Sequence, residues 1–201
     1  MLTAFQNFLY NCALSFDLPI LDWIQANMQS SFMDKFMPFI TVFGDAGIFW
    51  MVWAALLFIF PKTRKIGLGM AIAMVFGLLV CNVTLKPLVA RIRPYDLQAE
   101  LGVTIKLLCE TQHDFSFPSG HTIASFEAAV VLLKNSKKMG IPAMILAVLI
   151  SFSRMYLYVH YPTDVIVSIV LGTLFALLGN WLAGFIAPLL GAGKKKGKYE
   201  A

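Results

Sequence analysis

Long uncharged apolar runs dominate the chain and alternate with short polar segments. A helix needs about 20 apolar residues to cross the hydrocarbon core of a bilayer. Such runs predict five membrane-spanning helices, at residues 39–60, 66–85, 118–133, 139–158 and 165–190. The third run is short and carries Glu127, so we expect neighbouring helices to shield it from lipid. The pattern therefore predicts an all-α protein, a polytopic transmembrane helical bundle.

The first 32 residues are also apolar, but polar side chains interrupt them at Asn7, Asn11, Asp17, Asp22 and Gln25. Such a segment is typical of amphipathic helices that lie at the membrane interface, although residues 1–16 could form a short sixth span. Lysines follow the last apolar run. We therefore predict an N-terminal interfacial segment at residues 1–32, a membrane domain at 33–190 and a basic cytoplasmic tail at 191–201.

Composition supports a membrane protein. Hydrophobic residues make up 59% of the chain and charged residues 13%, whereas a soluble domain carries about 25% charged residues. In the five-span topology, ten of the 16 basic residues lie on one side, and basic loops stay cytoplasmic. We predict a multi-pass protein of a bacterial-type plasma membrane with a cytoplasmic C-terminus. No nucleic-acid motif is present, and we expect no nucleic-acid partner.

Three polar segments, each at the end of a predicted span, carry residues suited to chemistry. They run from Lys86 to Pro94, from Pro118 to His121 and from Ser153 to Asp164. The five-span topology places all three at one face of the membrane, the extracytoplasmic face. Cationic side chains close to a bilayer are costly unless they are paired or functional, so a function is expected there.

An anionic ligand explains these cations. The guanidinium groups of Arg93 and Arg154 offer planar forks for phosphate oxygens, and Lys86 adds a compact point charge. Ser119 and Gly120 stand where a helix begins, and exposed backbone N–H groups at a helix N-terminus favour an anion. These five residues therefore predict a phosphate-binding site.

Two histidines close to the cations indicate catalysis. Asp164 follows His160 by four residues, and its carboxylate can accept a hydrogen bond from one ring nitrogen, which leaves the other free to attack. His121 is then available to protonate a leaving oxygen and later to activate water. We predict His160 as the nucleophile, His121 as acid and base, and Asp164 as the group that orients His160.

The spacing of these residues resembles that of the type-2 phosphatidic acid phosphatase superfamily. Its pattern Lys-x6-Arg-Pro, Pro-Ser-Gly-His and Ser-Arg-x5-His-x3-Asp is met at every specified position: Lys86, Arg93, Pro94, Pro118, Ser119, Gly120, His121, Ser153, Arg154, His160 and Asp164. The resemblance implies a membrane lipid phosphatase that acts through a phosphohistidine, with no cofactor and no metal. Small bacterial members look like undecaprenyl pyrophosphate or phosphatidylglycerol phosphate phosphatases, so the expected partners are a lipid phosphate and the bilayer.

Other functions fit parts of the same pattern. A phosphotransferase that passes the phosphate to a second lipid would use the same phosphoenzyme. A lipid transporter would carry ionisable groups through the membrane depth, whereas here they gather at one face. His121, His160 and Asp164 could imitate a two-histidine, one-carboxylate metal site, but three nearby cations would repel a divalent ion. The oligomeric state stays open.

The remaining charged residues of the apolar regions receive simpler interpretations. Arg91 and Lys106 are predicted as membrane anchors at span ends. Asp45 could line the site or cap a helix, and the sequence does not separate these roles. Glu127 lies six residues after His121 and points to another side of the helix, so we predict a structural hydrogen bond inside the bundle.

Overall fold

The computed structural model describes residues 4–191, and within this range the chain forms helices and no β-strand. The α-helices are α1 (Ala4–Cys12), α2 (Leu18–Met28), α3 (Met33–Thr41), α4 (Ile48–Ile59), α5 (Arg64–Phe76), α6 (Lys86–Val89), α7 (Pro94–Glu100), α8 (Gly120–Asn135), α9 (Lys137–Tyr156) and α10 (Pro162–Leu189). Two π-helical segments, Ala13–Asp17 and Gly77–Leu85, and one 3₁₀ segment, Val42–Gly47, continue these helices. The predicted all-α membrane bundle is confirmed.

Among the described residues, four helical stretches are long and apolar enough to cross a membrane: Met33–Ile59, Arg64–Glu100, Lys137–Tyr156 and Pro162–Leu189. This is one fewer than the five spans predicted. The difference is α8, which has 16 residues and extends about 24 Å at 1.5 Å per residue. A bilayer core is about 30 Å thick, so α8 alone is too short to span it.

Helix α8 lies at the centre of the bundle, which explains how a short and partly polar helix is accommodated. It packs against α9, α10 and α5, and nine of its side chains are buried. Gly172 permits one close approach, because a Cβ at that position would lie 2.9 Å from the Ile123 carbonyl oxygen. Glu127 is 1% exposed and lies against Gly77, and its Oε1 has no hydrogen-bond partner among residues 4–191. The structural hydrogen bond predicted for Glu127 stays a prediction.

The 3₁₀ segment between α3 and α4 breaks the first span at the depth of Asp45. Ala46 and Gly47 have φ values of 47° and 67°, in the left-handed region that ends a regular helix. A Cβ at Gly44 would lie 2.6 Å from Cδ2 of His121, so glycine permits the segment to contact that ring. The break therefore places Asp45 beside α8.

The N-terminal segment packs onto one end of the bundle. Asp17 and Leu21 are completely buried, and Leu21 lies in an apolar cluster with Leu97, Tyr158 and Tyr161. The opposite face of the segment exposes apolar side chains such as Trp23, as expected for an interfacial helix. The predicted domain boundaries stay predictions, and the tail lysines after residue 191 lie outside the described residues.

Candidate active site

The three polar segments converge at the end of the bundle where the N-terminal segment packs. Six of the eight predicted site residues line a single cavity of about 730 Å³: Lys86, Arg93, Gly120, His121, Arg154 and His160. Ser119 and Asp164 are completely buried; Ser119 directly precedes Gly120, and Oδ2 of Asp164 lies 3.5 Å from Nδ1 of His160. The sequence prediction therefore names residues that the fold brings together.

Backbone turns hold the cationic and catalytic segments in place. After α9, the N–H groups of Val159 and His160 both donate to the carbonyl oxygen of Arg154, at 3.1 and 3.2 Å. His160 is thereby fixed close to Arg154. Helix α10 then begins at Pro162, a residue favoured in the first turn, and Asp164 accepts the Tyr161 N–H at 3.1 Å. The four-residue spacing from His160 to Asp164 follows from this helix start.

Arg93 connects the cations to the nucleophile predicted from the sequence. Its Nη1 donates to the Val159 carbonyl oxygen at 2.7 Å and lies 3.4 Å from Nε2 of His160. Its Nη2 donates to a carboxylate oxygen of Asp114 at 2.5 Å, and Lys86 forms an ion pair with the other oxygen of Asp114. Asp114 is therefore the counter-ion of two cations in this structure.

Arg154 is held differently. Its side chain is 2% exposed, and Nη1 donates to the Thr41 hydroxyl at 2.6 Å. Its Nε and Nη2 are buried and have no hydrogen-bond partner within residues 4–191. Unsatisfied buried donors of a charged group are costly. Because both atoms belong to a residue that lines the cavity, they are suited to the oxygens of an anion.

His160 presents its two ring nitrogens to different surroundings. Nε2 faces Arg93, whereas Nδ1 lies 3.5 Å from Oδ2 of Asp164. That distance exceeds a normal hydrogen bond, so the direct bond predicted from the sequence is not made. The Ser116 hydroxyl lies beside them: it donates to Asp164 Oδ2 at 2.5 Å and is 3.5 Å from Nδ1. The carboxylate and the hydroxyl therefore both face Nδ1 at a distance longer than a normal hydrogen bond.

The protonation of His160 follows from its position. Burial of the ring lowers its pKa well below 6.5, and the positive charges of Arg93, Arg154, Lys86 and His121 lower it further. A neutral imidazole carries a free lone pair on one nitrogen. At neutral pH, His160 can therefore act as a nucleophile.

His121 has its own carboxylate partner. Its Nε2 lies 2.7 Å from Oδ1 of Asp45. Ser119, at the start of the same helix, accepts a hydrogen bond from the Thr122 hydroxyl at 3.1 Å and donates its backbone N–H to Ser168 at 2.8 Å. Of the two roles left open for Asp45, the structure favours the one at the site.

Several residues of the site were not found from the sequence. Ser116 and Asp114 lie in the loop before α8, where no periodic pattern marks them. Arg91 was predicted as a membrane anchor, and this is wrong, because it is 7% exposed and pairs with Asp17 and Asp164. Its two-residue spacing from Arg93 gave no usable signal, because Arg93 lines the cavity and Arg91 does not.

Comparisons with known proteins identify a family and several relatives of this chain. Residues 62–186 match the PAP2 superfamily, which is the type-2 phosphatidic acid phosphatase superfamily of the sequence prediction. An undecaprenyl-diphosphatase of Sulfolobus acidocaldarius is 35% identical, over 85% of this chain and 76% of that protein. Undecaprenyl-diphosphatase BcrC of Bacillus subtilis is 30% identical, over 79% of this chain and 81% of its own length.

Two solved structures share the fold. The crystal structure of Aquifex aeolicus LpxE has a TM-score of 0.71 and 25% identity, and covers 82% of this chain and 94% of that one. A PAP2-type phosphatidylglycerolphosphate phosphatase from Bacillus subtilis also has a TM-score of 0.71, with 26% identity, 96% of this chain and 94% of that one covered. The second covers almost the whole chain, so its likeness extends into the N-terminal segment.

Proposed function

Because this chain belongs to the PAP2 superfamily and is a membrane lipid phosphatase, we propose that it hydrolyses a polyprenyl diphosphate with His160 as the nucleophile. The observation that carries the proposal is Arg154, which lines the same cavity as His160 and has two buried donors, Nε and Nη2, without a partner among residues 4–191. An anion bound by Arg154 in this cavity would lie in the space that His160 also lines.

In the first step, Nε2 of His160 attacks the terminal phosphorus, and the bond from phosphorus to the bridging oxygen breaks. Oδ2 of Asp164 lies 3.5 Å from Nδ1 of the ring, so the positive charge that develops on the imidazole is near a carboxylate. Lys86, Arg93 and Arg154 stabilise the charge on the transferring phosphoryl group. The products of this step are phosphohistidine and a lipid with one phosphate fewer.

His121 supplies the proton that the leaving oxygen needs. Burial of the ring and the charges of Arg154 and Lys86 disfavour the protonated imidazole, and the Asp45 carboxylate, 2.7 Å from the ring, stabilises it by its opposite charge. In the second step, the neutral His121 takes a proton from water, and the resulting hydroxide oxygen attacks phosphorus. The bond to His160 then breaks, and inorganic phosphate leaves. Each histidine returns to its starting state.

The shape of the cavity supports a lipid substrate. Apolar side chains of α4, α5 and the π-helical segment Gly77–Leu85 also line the cavity, among them Met51, Phe58, Met74 and Leu78. An apolar chain can lie there while its headgroup reaches the cations. Two relatives are named undecaprenyl-diphosphatases, and this supports a long isoprenoid diphosphate over the other lipid phosphates.

A substrate panel tests the proposal. Purified protein in detergent is given undecaprenyl diphosphate, phosphatidylglycerol phosphate, phosphatidate and diacylglycerol pyrophosphate, and phosphate release is measured. We expect the highest kcat/KM for undecaprenyl diphosphate and no turnover by His160→Ala. A higher value for a glycerolipid would contradict the substrate assignment, and phosphate recovered on a second lipid would indicate a phosphotransferase.

We also propose that the site faces the extracytoplasmic side and that the C-terminus is cytoplasmic. Lys62, Arg64 and Lys65 form a basic cluster where α5 begins, and Arg64 donates to the carbonyl oxygen of Leu190 at 2.5 Å. This cluster and the end of α10 therefore lie together, as expected if both are cytoplasmic. The test uses Thr63→Cys and His113→Cys, each as the single cysteine of the protein, and labels them with a membrane-impermeant reagent in intact cells. Labelling at 63 alone would contradict it.

A further inference from the structure

Asp17, Arg91 and Asp164 form a second charged cluster, which contacts the His160–Asp164 pair through Oδ1 of Asp164. Arg91 donates from Nη1 to Oδ1 of Asp164 at 2.5 Å and from Nη2 to Oδ2 of Asp17 at 2.7 Å. Arg91 is 7% exposed, and both aspartates are completely buried. Neither Arg91 nor Asp17 lines the cavity, and the reaction as proposed above uses neither of them.

Several contacts fix this cluster to the start of α10. Asp17 accepts the Thr163 N–H at 2.9 Å and the Thr163 hydroxyl at 2.8 Å. The guanidinium carbon of Arg91 lies 3.8 Å from the ring centroid of Tyr161, within the range of a cation–π contact. The N-terminal segment, through Asp17, therefore contacts the same helical turn that carries Asp164.

The two oxygens of Asp164 have separate partners. Oδ1 accepts from Arg91, whereas Oδ2 accepts from Ser116 and from the Tyr161 N–H and faces Nδ1 of His160. Because Arg91 holds Oδ1, rotation of the carboxylate is restricted and Oδ2 stays directed at the imidazole. Loss of the Arg91 bond would remove this restriction.

We infer that Arg91 and Asp17 are positioning residues for the phosphatase reaction, acting on His160 through Asp164. The N-terminal segment is then part of the active site as well as an interfacial helix. This inference rests on the proposed role of His160. Around metal-binding histidines, removal of the partner that fixes the orientation of the ring typically changes activity about 10- to 100-fold, and we expect a loss of similar size here.

The net charge of the cluster sets the direction of the expected effects. Asp17, Arg91 and Asp164 together carry one negative charge. Neutralising Asp17 brings the sum to zero and disfavours positive charge on His160, whereas neutralising Arg91 makes the sum more negative and favours it. The other charged or titratable groups that face His160 are Lys86, Arg93, His121 and Arg154, and neither substitution alters them.

The experiment compares Asp17→Asn with Asp22→Asn in the full-length protein. Asp22 is the control, because it anchors the same segment through the Tyr158 hydroxyl at 2.6 Å without contact to Arg91 or Asp164, although it is exposed whereas Asp17 is buried. We expect Asp17→Asn to lower kcat at least about 10-fold with little change in KM. The acid limb of its kcat/KM profile should move to lower pH by about half a unit. Asp22→Asn should keep both within about two-fold of the unchanged protein.

Arg91→Met should move the acid limb to higher pH, and Arg91→Lys should restore part of kcat because it keeps the charge. Variants are compared only where their thermal unfolding shows a folded protein; Asp17→Asn keeps the shape of the side chain and serves if Arg91→Met does not fold. Equal losses in Asp17→Asn and Asp22→Asn with unmoved acid limbs would overturn the inference. An inactive unchanged protein, or an active His160→Ala, would instead refute the proposed function.

Discussion

Arg154→Lys tests the phosphate-binding site most directly. The substitution keeps the positive charge and removes the planar fork. In the structure, Arg154 uses Nη1 for Thr41, and its Nε and Nη2 have no partner among the described residues. Under the proposed function, these two donors bind the phosphoryl oxygens.

The expected loss follows from the donors. A hydrogen bond to a charged group contributes about 1.5–3 kcal/mol. A lysine ammonium that stays close to Thr41 replaces at most one of the two donors, so about one such bond is lost in the transition state. This corresponds to about 10- to 150-fold in kcat/KM.

The assay is phosphate release from the preferred lipid, with vanadate inhibition measured in parallel. Vanadate adopts a trigonal bipyramid similar to the transition state, so its inhibition constant should rise together with the loss in kcat/KM. Arg64→Lys is the control, since Arg64 is a partly buried arginine that donates to carbonyl oxygens at the other end of the bundle. A kcat/KM of Arg154→Lys within two-fold of the unchanged protein would refute the reasoning.

Three further predictions concern the chemistry. His160→Ala should abolish turnover while vanadate still binds, as calorimetry can measure; residual turnover would exclude His160 as the nucleophile. The lowered pKa of His160 keeps its imidazole neutral at pH 6.5, so kcat/KM should fall only as the pH drops through that lower value; a pH–rate profile with an acid limb above 6.5 would contradict this. Turnover should persist in excess chelator, and a loss that added metal restores would indicate a metal site.

The fold brings the predicted site residues together, whereas the number of long apolar helices among the described residues is one fewer than predicted. Hydropathy evaluates each run by itself. The α8 run meets the criterion for a membrane span only weakly, because Glu127 and several small polar residues interrupt the run. In the structure these residues face other helices instead of lipid. A central helix is surrounded by protein and needs neither the length nor the apolarity of a span in contact with lipid.

A single sequence could not identify the residues that act through tertiary contacts. Asp17 is 147 positions before Asp164, and nothing local distinguishes it from Asp22 in the same interrupted apolar segment. Arg91 looked like a membrane anchor because hydropathy places it at a span end. Only the docking of the N-terminal segment reveals that it is buried between two carboxylates.

The cations of the site contribute to phosphate binding at different stages of the reaction. Partial burial opposes ionisation of Asp114, but hydrogen bonds and charge from Lys86 and Arg93 outweigh it and lower its pKa to about 2. Asp114 is therefore ionised at any pH where the enzyme is assayed, and a phosphate must compete with it for those two cations. Among residues 4–191, no group competes with the phosphate for Nε and Nη2 of Arg154. Under the proposed function, Arg154 consequently contributes most to initial binding, and the interactions with Lys86 and Arg93 strengthen as charge develops in the transition state.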